Sequence, residues 1–155
     1  MSTVLDRVMD MLRQEAIPFE LIHHRTDYTA QETAQDTHTP GRRFIKTVVV
    51  RVDDDLVLAL LPAPRMVNVE ALQRALGASR ARLASEAEMA ERFPECEVGA
   101  LPPFGSLFGV PVYSDLHLND DEQVTFTAGT HRDAIRVRYG DLRRLVGATP
   151  LAFAE

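Results

Sequence analysis

Lys46, the chain's single lysine, stands in Phe44-Ile45-Lys46-Thr47-Val48-Val49-Val50, where strand alternation lays it beside Phe44 and Val48 on a largely apolar face. An ammonium there either reaches past the sheet rim to water or holds an anion in a cleft. The pattern alone favours the rim. A second feature, Gly99-Ala100-Leu101-Pro102-Pro103-Phe104-Gly105, is suited to presenting backbone: the prolines carry no N–H and the glycines allow close approach. Such a loop can hold the amides of Gly99, Ala100 and Leu101 against a ligand carbonyl, as an oxyanion site requires. On these seven residues alone a surface turn is the favoured alternative. His131 follows Gly129-Thr130 between two strands, a place where loop residues often carry function, although a lone histidine in a turn is more often solvated.

Other chemistries find less support. Gly105-Ser106-Leu107-Phe108-Gly109 sets its serine one residue early for a nucleophile elbow. Cys96 lies between Glu95 and Glu97, whose charges disfavour a thiolate, so a buried, inert thiol is expected. There is no phosphate-binding P-loop and no dinucleotide fingerprint. His23, His24, His38 and His117 lack ligand spacing, so neither a metal nor an organic cofactor is expected.

Seventeen basic residues against 23 acidic ones give a net charge of −6. A protein that coats nucleic acid needs many phosphate contacts, so any such contact here is expected to be small and local, such as a terminal nucleotide. Neither DNA nor a membrane is an expected partner: the longest central apolar run, Leu56 to Leu61, stops at Pro62, far short of a span. One cysteine in 155 residues fits the reducing cytoplasm, and the start of the chain lacks a secretory pattern.

The elements that must position these residues follow from periodicity and caps. Ser2 or Thr3 caps a helix with Val4, Leu5, Val8 and Leu12 on one stripe; Phe19 to Ile22 is a strand; Thr29 caps a short helix from Ala30. Phe44–Val52 and Leu56–Leu61 form a hairpin buried on both faces. Asn68 and Ser85 cap two more helices, the first ended by Gly77. Strands are expected at Val110–Ser114, Gln123–Thr127 and Ile135–Tyr139, and Asp141 caps a last helix. The irregular mixture predicts a single α+β domain over 1–155, with a mixed, partly barrel-like sheet packed by several helices.

The order Tyr28-Thr29-Ala30-Gln31-Glu32, strand Lys46, the Gly99–Gly105 loop, Val110-Pro111-Val112-Tyr113 and Gly129-Thr130-His131 resembles the YbaK/prolyl-tRNA synthetase-associated editing-domain family over residues 20–145. The resemblance implies a metal-independent hydrolase that removes a small amino acid from mischarged tRNA in trans. It implies that Lys46 engages the phosphate–ribose end of the substrate, that Gly99 belongs to a Gly-x-x-x-Pro loop and that His131 matches a Gly-x-His. It lays Tyr28, Thr29, Thr47, Ala100, Leu101, Pro102, Phe104, Gly105 and Gly129 along the substrate. The implied partners are the 3′ end of aminoacyl-tRNA and, as a further candidate, an aminoacyl-tRNA synthetase. Thr47 stands where members acting on prolyl-tRNA errors often carry asparagine, which opens the amino-acid specificity. A non-catalytic module that binds an aminoacyl-tRNA end or a free amino acid is the alternative function. A generic small-ester or thioester hydrolase is a third, and the strand lysine argues against it.

Overall fold

The computed structural model describes residues 2–155. Thr3 caps α1 (Val4–Gln14) through a capping box with Asp6, and the buried side of that helix carries Val4, Val8, Met9 and Leu12. β1 (Phe19–His23) follows, then α2 (Ala30–Asp36), capped by Thr29. A 3-10 turn at Gly41–Arg43 leads into β2 (Ile45–Val52), which turns back as β3 (Asp55–Pro62). α3 (Val69–Leu76), β4 (Ala81–Leu83) and α4 (Glu86–Arg92) come next. After the proline loop lie β5 (Val112–Asp115), β6 (Gln123–Thr127), β7 (Asp133–Arg138), α5 (Tyr139–Val146) and β8 (Thr149–Leu151).

The strands form two sheets rather than one partly barrel-like sheet. The first is antiparallel, in the order β1-β7-β6; the second is mixed, in the order β4-β2-β3-β5-β8. A single parallel bridge, Phe44 to Thr125, joins them. No other strand pairing links the two sheets among the described residues, so the barrel stays open.

β3 explains its own unbroken apolar run. Leu56, Leu58 and Leu60 enter the main core with α1, α5 and the antiparallel sheet. Val57, Ala59 and Leu61 enter a second core with Leu72 of α3 and Phe153. In β2, Ile45 and Val49 belong to the main core and Val50 and Val52 to the second, so alternation puts Thr47 on the first face and Lys46 on the other.

Two expectations of local structure need correction. α5 starts at Tyr139, with Arg138 at its N-cap, so Asp141 lies inside the first turn. There it complements the helix dipole and pairs with Arg138 (3.3 Å) and Arg144 (2.6 Å). β5 begins at Val112 rather than Val110, because Pro111 has no N–H to give to the ladder.

Candidate active site

The proline loop is a packed segment, not a surface turn. Residues Ala100 to Gly105 are all buried. Leu101 and Phe104 join the main core, and the Phe104 ring lies 5.8 Å from that of Phe126. Phe104 is therefore a core residue and not the wall of a cleft. Gly105 is demanded by packing: a Cβ there would sit 2.3 Å from the Val110 carbonyl oxygen and 2.5 Å from Val112 Cγ2.

Only part of the expected amide array is free. The Ala100 N–H donates to the Glu97 carbonyl (2.9 Å) and closes a turn, so it is not available to an oxyanion. Those of Gly99 and Leu101 donate to no acceptor among the described residues. Gly129 pins the loop, its N–H donating to the Ala100 carbonyl (2.8 Å) while its own carbonyl accepts from Glu97 N–H (2.9 Å).

His131 is locked against the same loop. Its backbone N–H donates to Glu97 Oε1 and its Nε2 lies 2.7 Å from the Val98 carbonyl. A carbonyl only accepts, so Nε2 carries the proton and, in the neutral ring, Nδ1 is the basic nitrogen. Gly99 has φ +87°, and a Cβ there would lie 3.4 Å from His131 Cε1; a side chain would meet both backbone strain and the imidazole. Tyr28, 76% exposed, rests its ring 5.1 Å from the imidazole. Thr29 spends its hydroxyl on capping α2, accepting from Glu32 N–H (3.1 Å) and donating to Glu32 Oε1 (3.0 Å).

Residues the sequence did not single out support this cluster. Asp27 N–H donates to the His131 carbonyl (3.1 Å) and His24 N–H to the Arg132 carbonyl (2.9 Å). The Asp27 carboxyl is buried, which pushes its pKa up, and hydrogen bonding with Asp36 adds to the shift. Asp36 is shifted down, first by that hydrogen bond and then by Arg25. His24, Asp27 and Asp36 bring possible ligand atoms within 4.8 Å of one another, a grouping hidden in the sequence. Arg25 already sits on it, 2.6 Å from Asp36 and 3.4 Å from Asp27, and supplies the positive charge. Exhaustive treatment with EDTA or phenanthroline is therefore expected to leave any hydrolysis at this site unchanged; a loss restored by zinc would show that the His24–Asp27–Asp36 grouping holds a metal.

Lys46 lies on the second-core face of β2, and among the described residues no hydrogen bond or ion pair ties it to Tyr28, Gly99 or His131. It is partly buried and has no carboxylate partner among the described residues. Burial pushes its pKa below the ordinary lysine value, a penalty that a bound anion would offset. Burial keeps Cys96 inert, raising its thiol to about 11. Alkylation by iodoacetamide at pH 8 should run roughly 10²-fold slower than for an ordinary thiol; a rate near the free-thiol value would show that burial does not protect it. A concavity of about 910 Å³ lies elsewhere, between the Asp53–Asp55 turn and α4, lined by Glu88, Glu91 and Arg92.

The aminoacyl-tRNA editing domain family matches residues 24–145. The multifunctional Ser/Thr-tRNA deacylase ProXp-y of Escherichia coli K12 is 26% identical over 149 residues, covering 93% of this chain and 89% of that protein. The proline–tRNA ligase of Heliobacterium modesticaldum is 34% identical over 99 residues. That match takes in 64% of this chain and only 17% of the ligase, so the chain corresponds to a small part of such enzymes. A crystal structure of a candidate trans-editing enzyme for prolyl tRNA synthetase superposes with a TM-score of 0.83 at 24% identity, over 100% of this chain and 99% of that one, a likeness of fold. The matched span holds Lys46, the proline loop and His131 together, and the chain belongs to the aminoacyl-tRNA editing domain family.

Proposed function

We propose that this chain is a trans-editing aminoacyl-tRNA deacylase that removes a small amino acid, of the size of serine or threonine, from mischarged tRNA. The observation that carries the reading is the family match over residues 24–145. Likeness to a Ser/Thr-tRNA deacylase along nearly the whole length of both chains supports the reaction and the size of the substrate. The ester is already activated relative to an amide, so the protein has to position it, polarise its carbonyl and admit water. Water adds to the ester carbonyl, the oxyanion collapses, and the ribose hydroxyl leaves with a proton.

The Gly99 and Leu101 amides are the proposed oxyanion donors, each worth ~3–4 kcal/mol. Lys46 grips the phosphate of the 3′-terminal adenosine as a point charge and fixes register. His131, through Nδ1, orients the attacking water or the vicinal ribose hydroxyl. Pro102 and Pro103 stiffen the loop, and Thr47 replaces the asparagine of proline-directed relatives. The likeness to prolyl-tRNA ligases supports a working partnership with a synthetase, and a single free cysteine fits a reducing compartment such as the cytoplasm.

The test is initial hydrolysis across tRNAs charged with alanine, serine, threonine, cysteine, proline and phenylalanine. The small esters are expected to be cleaved and phenylalanyl ester to lag by roughly 10- to 200-fold, the scale of a methylene-sized discrimination. Preference for the largest side chains, or no trend with size, would contradict the small-substrate reading.

A further inference from the structure

A hollow of about 380 Å³ collects Arg42, Arg43, Arg65 and His117 over a floor that includes Pro62 and Val124. In a chain of net charge −6, three arginines here face a lining with a single carboxylate. Arg42 and Arg43 sit on the 3-10 turn that feeds β2, and Arg65 follows the end of β3. The register pairs Ile45 with Pro62 and Lys46 with Leu61, so the hollow lies at the Lys46 end of the β2–β3 hairpin.

The positive charge there is incompletely compensated. Glu122 is the only carboxylate in the lining, and it serves both Arg42 (3.0 Å) and Arg43 (2.5 Å). Arg65 pairs with no carboxylate among the described residues. The Arg42 and Arg43 guanidiniums both lean on the same Glu122 oxygen, Oε2, so one negative charge is shared between two positive ones. Guanidinium forks match phosphate oxygens bidentately, and a rigid proline floor suits the flat, weakly polar face of a sugar. Arg43 and Lys46 are three residue steps apart, at most roughly 11 Å along the backbone, a reach that one nucleic-acid strand can bridge.

Resting on the deacylase reading, we infer that this hollow receives backbone phosphates of the tRNA acceptor strand, upstream of the terminal adenosine held at Lys46. The sequence reading of a small, local grip is thereby extended by two or three phosphates along one strand.

The test compares wild type with an Arg42→Ala/Arg65→Ala double variant and a charge-keeping Arg42→Lys/Arg65→Lys double variant, all checked by thermal melting. Binding to uncharged tRNA is followed by fluorescence anisotropy across salt. Wild type is expected to show a log–log slope of about −2 to −3, from roughly 0.7 to 0.9 per phosphate. The alanine pair should lose roughly tenfold in affinity at low salt and flatten the slope by about 1 to 2, and the lysine pair should recover most of both. Hydrolysis of a minimal aminoacyl-adenosine ester should be the same in all three proteins. Wild-type affinity and slope in the alanine pair would overturn the inference and leave the deacylase reading in place. Arginine-dependent tRNA binding by a protein that cleaves neither ester would instead overturn the deacylase reading and keep the tRNA surface.

Discussion

Lys46→Ala is expected to lower kcat/KM on aminoacyl-tRNA by roughly 10²-fold or more, the scale of a lost positioning contact, while circular dichroism and melting stay at wild-type values. The two halves of this result have one cause. The ammonium is partly buried without an ion-pair partner among the described residues, and burial already disfavours its charge. Truncating it strands no carboxylate and relieves a desolvation cost, so the fold does not suffer. Its reason for standing on an apolar strand face is then sought in a ligand. Turnover and melting should be measured on the same preparations. Activity within a few-fold of wild type would return Lys46 to a solvated place at the sheet rim.

Phe104→Ala is expected to cost about 3–5 kcal/mol of stability, the range for a deleted core aromatic. In a domain of this size the melting midpoint should fall by roughly 2–4 °C for each kcal/mol. The ring is fully buried and leans on Phe126, so removing it opens a void inside the main core rather than a wider mouth at the ester site. Denaturant unfolding measures the cost, and the panel of charged tRNAs measures the selectivity. A variant of near wild-type stability that newly accepts phenylalanyl ester would restore Phe104 to the cleft wall.

That reversal shows where local pattern carries information and where it stops. The caps of four helices, at Thr3, Thr29, Asn68 and Ser85, are written in residues three apart, and reading them locates the helices. The β2–β3 hairpin is equally plain, because a run of valines and leucines interrupted by three aspartates leaves little else to form. β4 and β8 escape, since three-residue edge strands hold too little alternation to register. The division into two sheets escapes as well, because it depends on pairings between distant strands, β1 with β7 and β3 with β5, that no local period encodes.

The candidate site divides in the same way. Gly99 and His131 are visible as residue types, and the structure brings them together. What holds them is not visible: Glu97 reaches His131 across 34 residues of sequence, and Asp27 reaches it from the other side of the chain. The state of the Ala100 amide is a property of a turn, decided by where the Glu97 carbonyl points. Sequence therefore marks the groups able to do chemistry, and the three-dimensional hydrogen-bond pattern decides which of them remain free to do it.

The central claim is that the site breaks the ester rather than merely holding the aminoacyl end. The direct measurement is single-turnover release of serine from mischarged seryl-tRNA, with enzyme in excess and complex formation followed on the same samples. The account predicts that bound seryl-tRNA is converted to free serine and tRNA at a rate far above spontaneous hydrolysis, and that Gly99→Ala, which sets a Cβ against His131 and strains a backbone at positive φ, slows that conversion more than it weakens binding. Tight complex formation with release no faster than in buffer would contradict it and make the chain a binding module.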